Sequence, residues 1–285
     1  MNKIVIVVET GSDISEELKK EYGIYTIPMH ITFGDKTKDD GTFPPCEVCD
    51  YYENTGTLPK TSASTPYDYE RVFDEIRKKH PLAGILLLAY SAVTTSSFQN
   101  ALIAAKKYSS IECVDTKNVT IGQSAVAVKT AELIRMHPEW SLKQAAEAAK
   151  CIREQTKLIF VPYNLTYLKA GGRVKSSVAF IGNLLHIYPI IEVKNGYLCV
   201  AKKIRGSIKR RISSIFTFFI ERYSPDYDKI WLGGTTGLSE DMKNLLKNTA
   251  KEFGFKNIYW IDAGGVITTH GGPNAFAIAA YAKAL

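Results

Sequence analysis

The sequence predicts an α/β protein of two domains. The first is built on a parallel sheet flanked by helices, the second on a mixed sheet with antiparallel strands. Three observations carry that prediction. Short, fully apolar runs alternate with amphipathic stretches through the first half, as buried parallel strands and their crossover helices do. Asn195-Gly196 lies between two β-prone runs, the strongest short hairpin signal, so antiparallel pairing enters in the second half. The length of 285 residues, with 45% hydrophobic and 23% charged residues, suits a globular chain of one large or two ordinary domains.

In chain order, residues 4–8 form a first buried strand, cut off by Glu9. Residues 15–22 form a short charged helix that Ser12 or Asp13 can cap. Residues 25–33 are β-prone, and 47–53 read as helical. An amphipathic helix covers 66–80 and stops at Pro81. A buried strand at 83–89 precedes a helix at 98–108, with Phe98, Ala101, Leu102 and Ala105 on one stripe. A strand at 111–114 is followed by helices at 121–136 and 141–155. Beyond a boundary placed near residue 156, separating 1–156 from 157–285, come a strand at 158–161 and a short helix at 164–169. The hairpin 189–193/197–202 and a helix at 207–221 follow, the latter with Ile208, Ile212, Ile215 and Phe219 on one face. Strands at 229–232 and 257–261 flank a helix at 239–252, and 275–282 reads as a last helix.

Composition narrows the function. No apolar run reaches the roughly 18 residues of a membrane span. The N-terminal run is too short for a signal peptide and lacks a small-residue cleavage site, so a cytoplasmic protein is expected. Five scattered cysteines argue against a disulfide framework, and Cys46-Glu47-Val48-Cys49 has no second pair to complete a zinc site. The net charge of +7 is concentrated in Lys202, Lys203, Arg205, Lys209, Arg210 and Arg211. That run has no interleaved aromatic residue and no nucleic-acid motif, so it reads as a docking surface for an acidic partner or as a solvated face.

The candidate site is a set of hydroxyl-rich turns: Thr61-Ser62-Ala63-Ser64-Thr65, Ser91-Ala92-Val93-Thr94-Thr95-Ser96-Ser97 and Thr268-Thr269-His270-Gly271-Gly272-Pro273. With 9–13 and 115–120 they make five polar segments where strands give way to turns or helices. One helix needs only one cap, so together they indicate a polar pocket beyond the strand ends. Hydroxyls and freed N–H groups receive an anion well, but catalyse poorly without a base. His270, among small residues, is read as a hydrogen-bond donor to that anion. Arg173, after Gly171-Gly172, either binds the anion or pins a loop. Glu9 with Asp13, and Asp39 with Asp40, are read as capping and turn residues before acid–base or metal groups. Gly233-Gly234-Thr235-Thr236-Gly237 resembles a phosphate loop in composition but lacks its Lys.

Over essentially its whole length the chain resembles the DegV family. The opening Glu9-Thr10-Gly11-Ser12-Asp13 is similar to D-S-T-x-D, and Pro59-Lys60-Thr61-Ser62 to P-T-T-S. The segment 95–101 is similar to S-G-T-Y-Q-S-A, and Val114-Asp115-Thr116 to V-D-S. The stretch 165–174, LTYLKAGGRV, is close to L-x-Y-L-K-K-G-G-R-I, and His270-Gly271-Gly272-Pro273 resembles H-x-G-P-G. The chain departs from the pattern at Glu9, Thr10, Thr95, Ser96 and Asn274.

The resemblance implies a two-domain DegV-like fold with a long-chain fatty acid between the domains and no other cofactor or metal. It implies a carrier of the FakB type, which presents the acid to a separate fatty acid kinase for conversion to acyl phosphate in phospholipid synthesis. By position, Thr61, Thr95 and His270 would hold the carboxylate. Ser62, Arg173 and the backbone N–H of Ser96 would support them, and a Cβ at Ser96 would narrow the approach. The acyl tunnel is expected along Phe180, Ile181, Leu184 and Ile190, in a dense apolar stretch. Kinase docking is expected at Lys203, Arg205 and Arg210, with transient membrane-surface contact and no nucleic acid. The alternative is an enzyme acting on a small phosphorylated or acyl substrate.

Overall fold

The computed structural model describes residues 4–163, 165–174 and 187–283. The first half runs β1 (Ile4–Glu9), α1 (Glu16–Tyr22), β2 (Tyr25–Ile27), β3 (His30–Phe33), β4 (Lys36–Asp39), α2 (Cys46–Thr55), β5 (Lys60–Ser62), α3 (Pro66–Lys79), β6 (Gly84–Ala89), α4 (Ser97–Ala105), β7 (Ile111–Asp115), α5 (Thr120–Met136) and α6 (Leu142–Gln155). The second runs β8 (Thr156–Val161), α7 (Leu165–Gly171), β9 (Ile187–Lys194), β10 (Tyr197–Arg205), α8 (Ile208–Tyr223), β11 (Pro225–Gly234), α9 (Glu240–Glu252), β12 (Asn257–Asp262), α10 (Gly265–Gly271) and β13 (Phe276–Ala282).

The strands form three sheets. A parallel four-stranded sheet has the order β2-β1-β6-β7, and a mixed six-stranded sheet the order β10-β9-β8-β13-β11-β12. The expected α/β architecture, a parallel sheet followed by a mixed one, is thus present. A small antiparallel sheet, β4-β3-β5, stands beside them. Helix α5 joins the large sheets. It packs on β1 and β6 of the first and on β8, β11 and β13 of the second. Its residues from Thr120 to Val128 are all buried, because a helix covered on both sides has no solvent face to make polar. The core it centres runs through both halves, from Val8 and Leu88 to Leu158 and Trp231.

Four expectations are corrected. The stretch read as a last helix is the strand β13. Its faces alternate: Phe276, Ile278 and Ala280 join the core toward α8 and α9, while Ala277, Ala279 and Tyr281 join the core around α5. Alanine favours a helix, but here its small side chain lets α5 approach the sheet, and packing overrides propensity. The β-prone run 25–33 divides at Pro28-Met29 into strands of different sheets. Residues 36–39 and 60–62, not read as strands, pair with β3. The turn containing His270 is the last turn of α10.

On the second sheet a buried carboxylate ties β9 to the end of α8. Glu192 accepts from Arg222 Nε at 2.7 Å and from a second guanidinium nitrogen at 2.8 Å, and from the Tyr223 hydroxyl at 2.6 Å. Burial alone would raise its pKa, but these hydrogen bonds outweigh burial and hold it below the usual value. Glu192→Ala removes three hydrogen bonds and leaves the half-buried Tyr223 hydroxyl without its acceptor. It should cost about 2 kcal/mol, read as a lower urea midpoint at unchanged slope.

Candidate functional site

A single cavity gathers most of the predicted polar segments. Tyr90, Thr94 and Thr95 follow β6, Thr120 begins α5, Thr61 and Ser62 end β5, and His270 comes from α10. The segment 9–13 is the exception. It packs behind the wall, where a Cβ on Gly11 would meet Met29 Sδ at 2.7 Å. The room open to the centre of a water-sized sphere is about 90 Å³. Its inner surface is apolar, formed by Met29, Phe160, Leu168, Leu198, Val266 and Phe276. A mostly apolar cavity with a few polar side chains in its wall is the usual form of a site that orients a ligand by its head and retains it by its body.

Among the polar lining residues, His270 Nε2 lies 2.8 Å from Thr61 Oγ1. The imidazole is half-buried; its Nδ1 is buried and has no hydrogen-bond partner among the described residues. It faces Gly171, where a Cβ would lie 2.3 Å from Nδ1. An N–H buried without an acceptor costs more than a bare lone pair, which places the proton of the neutral ring on Nε2. Nε2 then donates to Thr61, whose own hydroxyl proton is left to donate elsewhere. Burial, and after it the Arg173 guanidinium, pushes the imidazole down to about 4, so at neutral pH the ring is uncharged. A Thr–His pair of this kind is weak as nucleophile and base. The base is barely basic, and no carboxylate orients its second nitrogen.

The Gly171-Gly172 pair now has two separate reasons. Gly171 makes room for the imidazole, and Gly172 turns the chain at φ +62°. Arg173 pins the loop. Its Nε donates to the Thr94 carbonyl at 3.3 Å and a terminal nitrogen to the Gly171 carbonyl at 2.6 Å, while the side chain still borders the cavity. Thr95 Oγ1 accepts from the Ser97 N–H at 3.3 Å, starting α4, and also borders the cavity. Ser96 is exposed. It borders an adjoining outer groove, shared with Thr94, Thr95 and Arg173, and its φ of −81° carries no strain from its Cβ. Asn274 adopts φ +62°, a left-handed conformation that asparagine tolerates where the family motif has glycine.

Ile190 is fully buried in the core toward α8, with Ile159, Ile204 and Phe216, and does not border the cavity. This corrects its placement in an acyl tunnel. Strand β9 alternates, and Ile191 joins the core on the other face of the sheet. Phe180, Ile181 and Leu184 lie outside the described residues. Lys203, Arg205 and Arg210 are exposed on β10 and α8. The cysteine pair lies on α2, with Cys46 exposed and Cys49 buried. Gly233 and Gly234 are packing residues, since Cβ atoms there would meet Ile121 at 2.8 Å and Leu238 at 2.7 Å. No group of three or more His, Cys, Asp or Glu suited to a metal occurs among the described residues. Nor is any helix among them long and apolar enough to cross a membrane.

Behind the cavity lie three buried carboxylates, each pushed up by burial. Glu9 accepts from the Tyr69 hydroxyl at 2.6 Å, the Tyr90 N–H at 2.8 Å and Gln123 at 2.8 Å. Asp13 accepts from the Gly264 N–H at 2.8 Å and from Thr120 at 2.5 Å. Asp40 accepts from the N–H groups of Gly265 at 2.9 Å and Val266 at 3.3 Å. The latter two cap the helix that carries His270. The expectation that Ser12 or Asp13 caps the helix at 15–22 is corrected: Ser15 caps that helix, its side chain accepting from the Leu18 N–H, and Asp13 serves the start of α10 instead.

The family model described as "Uncharacterised protein, DegV family" matches residues 3–283. A fatty acid-binding protein of Thermotoga maritima is 27% identical over 278 residues, covering 95% of each chain. The fold is similar to that of a DegV family protein from Thermus thermophilus described for its fatty acid binding. The TM-score is 0.87 at 23% identity, over 99% of this chain and 100% of that one. It is also similar to a DegV family protein from Eubacterium eligens loaded with heptadecanoic acid, with TM-score 0.84 at 16% identity, over 98% and 100% of the two chains.

The depressed imidazole has a measurable consequence. Between its ordinary value of 6.5 and about 4, the unfolded chain takes up a proton that the fold excludes. Stability therefore falls as the pH drops through that window, by about 3 kcal/mol from this residue. Urea unfolding at pH 7 and pH 4 should show the native protein losing about that much more than His270→Asn. Equal losses would refute a buried neutral histidine.

Proposed function

Because the chain belongs to the DegV family, we propose that it binds a long-chain fatty acid in this cavity and presents the carboxylate to a separate fatty acid kinase. The carrying observation is the Thr61–His270 pair in the wall of a mostly apolar cavity. In this reading the Thr61 hydroxyl, oriented by Nε2–H of His270, donates to the carboxylate. Thr95 and Ser62 add donors from the facing turns, and Arg173 holds the 171–173 loop against the 91–97 turn. The acyl chain lies along Phe160, Leu168, Leu198 and Phe276. Each buried methylene contributes roughly 0.8 kcal/mol, so the tail supplies most of the affinity and the hydroxyls set the direction.

The protein then acts as a carrier in the cytoplasm. Its weak Thr–His pair does not attack the carboxyl group, and the phosphoryl donor is handled by the partner. The exposed cations Lys203, Arg205 and Arg210 are suited to an acidic docking face on the kinase or to passing contact with an anionic membrane surface. The fatty acids named for the Thermotoga relative and the Eubacterium structure support the ligand class.

Organic extraction and mass spectrometry of the purified protein should release a long-chain fatty acid. No acid, together with no uptake of added oleate, would refute the reading, as would turnover of acyl or phosphorylated substrates by the protein alone. Thr61→Val should weaken oleate binding about tenfold or more, the loss expected for one hydrogen bond to a charged group. Reversing Arg205 and Arg210 to Glu should leave oleate retention unchanged and slow acyl phosphate formation by the kinase. Unchanged coupling would remove the docking role.

A further inference from the structure

The small sheet β4-β3-β5 touches α10 at both ends. Thr61, on β5, meets His270 in the last turn of α10. Asp40 directly follows β4, and its backbone N–H donates to the Met29 carbonyl at 2.8 Å, just before β3. Its carboxylate takes the N–H groups of Gly265 and Val266 at the start of α10. Asp13, at the end of the turn after β1, takes the preceding N–H, that of Gly264. All three donors thus come from the second half of the chain, and both acceptors from the first. The fit is close. A Cβ on Gly264 would lie 3.2 Å from Asp40 Oδ1 and 3.3 Å from Asp13 Oδ1, and one on Gly265 would meet Phe43 at 2.9 Å. A seven-residue helix has few hydrogen bonds of its own, so its position is set by what grips its ends.

We infer that Asp40 and Asp13 are positioning residues for the ligand's head group. By fixing the start of α10 against the sheet that carries Thr61, they set the Nε2–Oγ1 contact that aims the Thr61 hydroxyl into the cavity. This deepens the fatty-acid reading and rests on it for the affinity readout alone. The geometry of His270 in the ligand-free protein is an independent readout.

The test uses the full chain with oleate as probe. Affinity is measured by calorimetry and the His270 ring nitrogens by ¹⁵N NMR. Asp40→Ala removes two cap bonds and should weaken oleate at least tenfold and shift the Nε2 resonance. Asp13→Ala removes one and should cost about threefold. Asp40→Asn keeps an acceptor oxygen and should restore most of both signals. Ser141→Ala deletes the capping box of α6, remote from α10. It should lower Tm while leaving oleate affinity and the resonance unchanged. If Asp40→Ala does not fold, Asp13→Ala and Asp40→Asn carry the comparison. An Asp40→Ala or Asp13→Ala protein that loses stability but binds oleate within twofold, with the His270 signal unmoved, would overturn the inference. So would a Ser141→Ala protein that loses affinity equally. If the native protein ignores oleate, the fatty-acid reading fails, and the His270 resonance still decides whether the carboxylates position the ring.

Discussion

Helix α10 is gripped across the seam between the two halves of the chain, and the geometry of the cavity follows from that grip. Its start is held by two carboxylates and its end by a threonine, all from the first half. Helix α5 makes such a seam possible, because its buried faces pack on both large sheets and fix their separation. Polar groups buried at this boundary need partners, and several find them across the seam. Ser91 donates to the Gly196 carbonyl at 2.9 Å, Tyr281 to the Ala125 carbonyl at 2.7 Å, and the Gly264 N–H to Asp13. The halves are bound by hydrogen bonds whose loss would strand buried groups.

Much of this was legible in the sequence wherever one physical rule acted alone. The strands β1 and β6 are apolar runs because both faces are buried, and Asn195-Gly196 forms the β9–β10 turn because both residues take positive φ. The hydroxyl turns could be grouped because one helix start needs only one cap. Reading failed where two rules competed. In β13 the helix preference of alanine opposed the spacing that α5 requires, and packing won. Around His270 the glycines suggested a loop, but a seven-residue helix capped from a distance of 225 residues in sequence leaves no local signature. Ile190 and Ile191 differ by one position and so face opposite cores, a distinction that an unbroken apolar run does not encode.

The site also separates two uses of the same residue types. Threonine beside histidine can make a nucleophile and its base, or a pair of oriented donors. Environment decides, and here it leaves the pair weak as nucleophile and base. The second ring nitrogen is enclosed against glycine with no carboxylate beside it among the described residues, and the basicity of the ring is reduced. The buried carboxylates nearby are spent on backbone N–H groups of α10 and on Tyr69, Tyr90 and Gln123, not on His270.

The uncharged imidazole also bears on selectivity. A receptor that pairs an anion with a fixed cation tells a carboxylate from a neutral oxygen acceptor by charge, and weakens as salt rises. One built from hydroxyls and a neutral ring ranks head groups by the number and direction of the hydrogen bonds they accept. What selection by charge remains rests on Arg173, which borders the cavity near the ring, and choice among ligands that share a head group passes to the shape of the apolar walls.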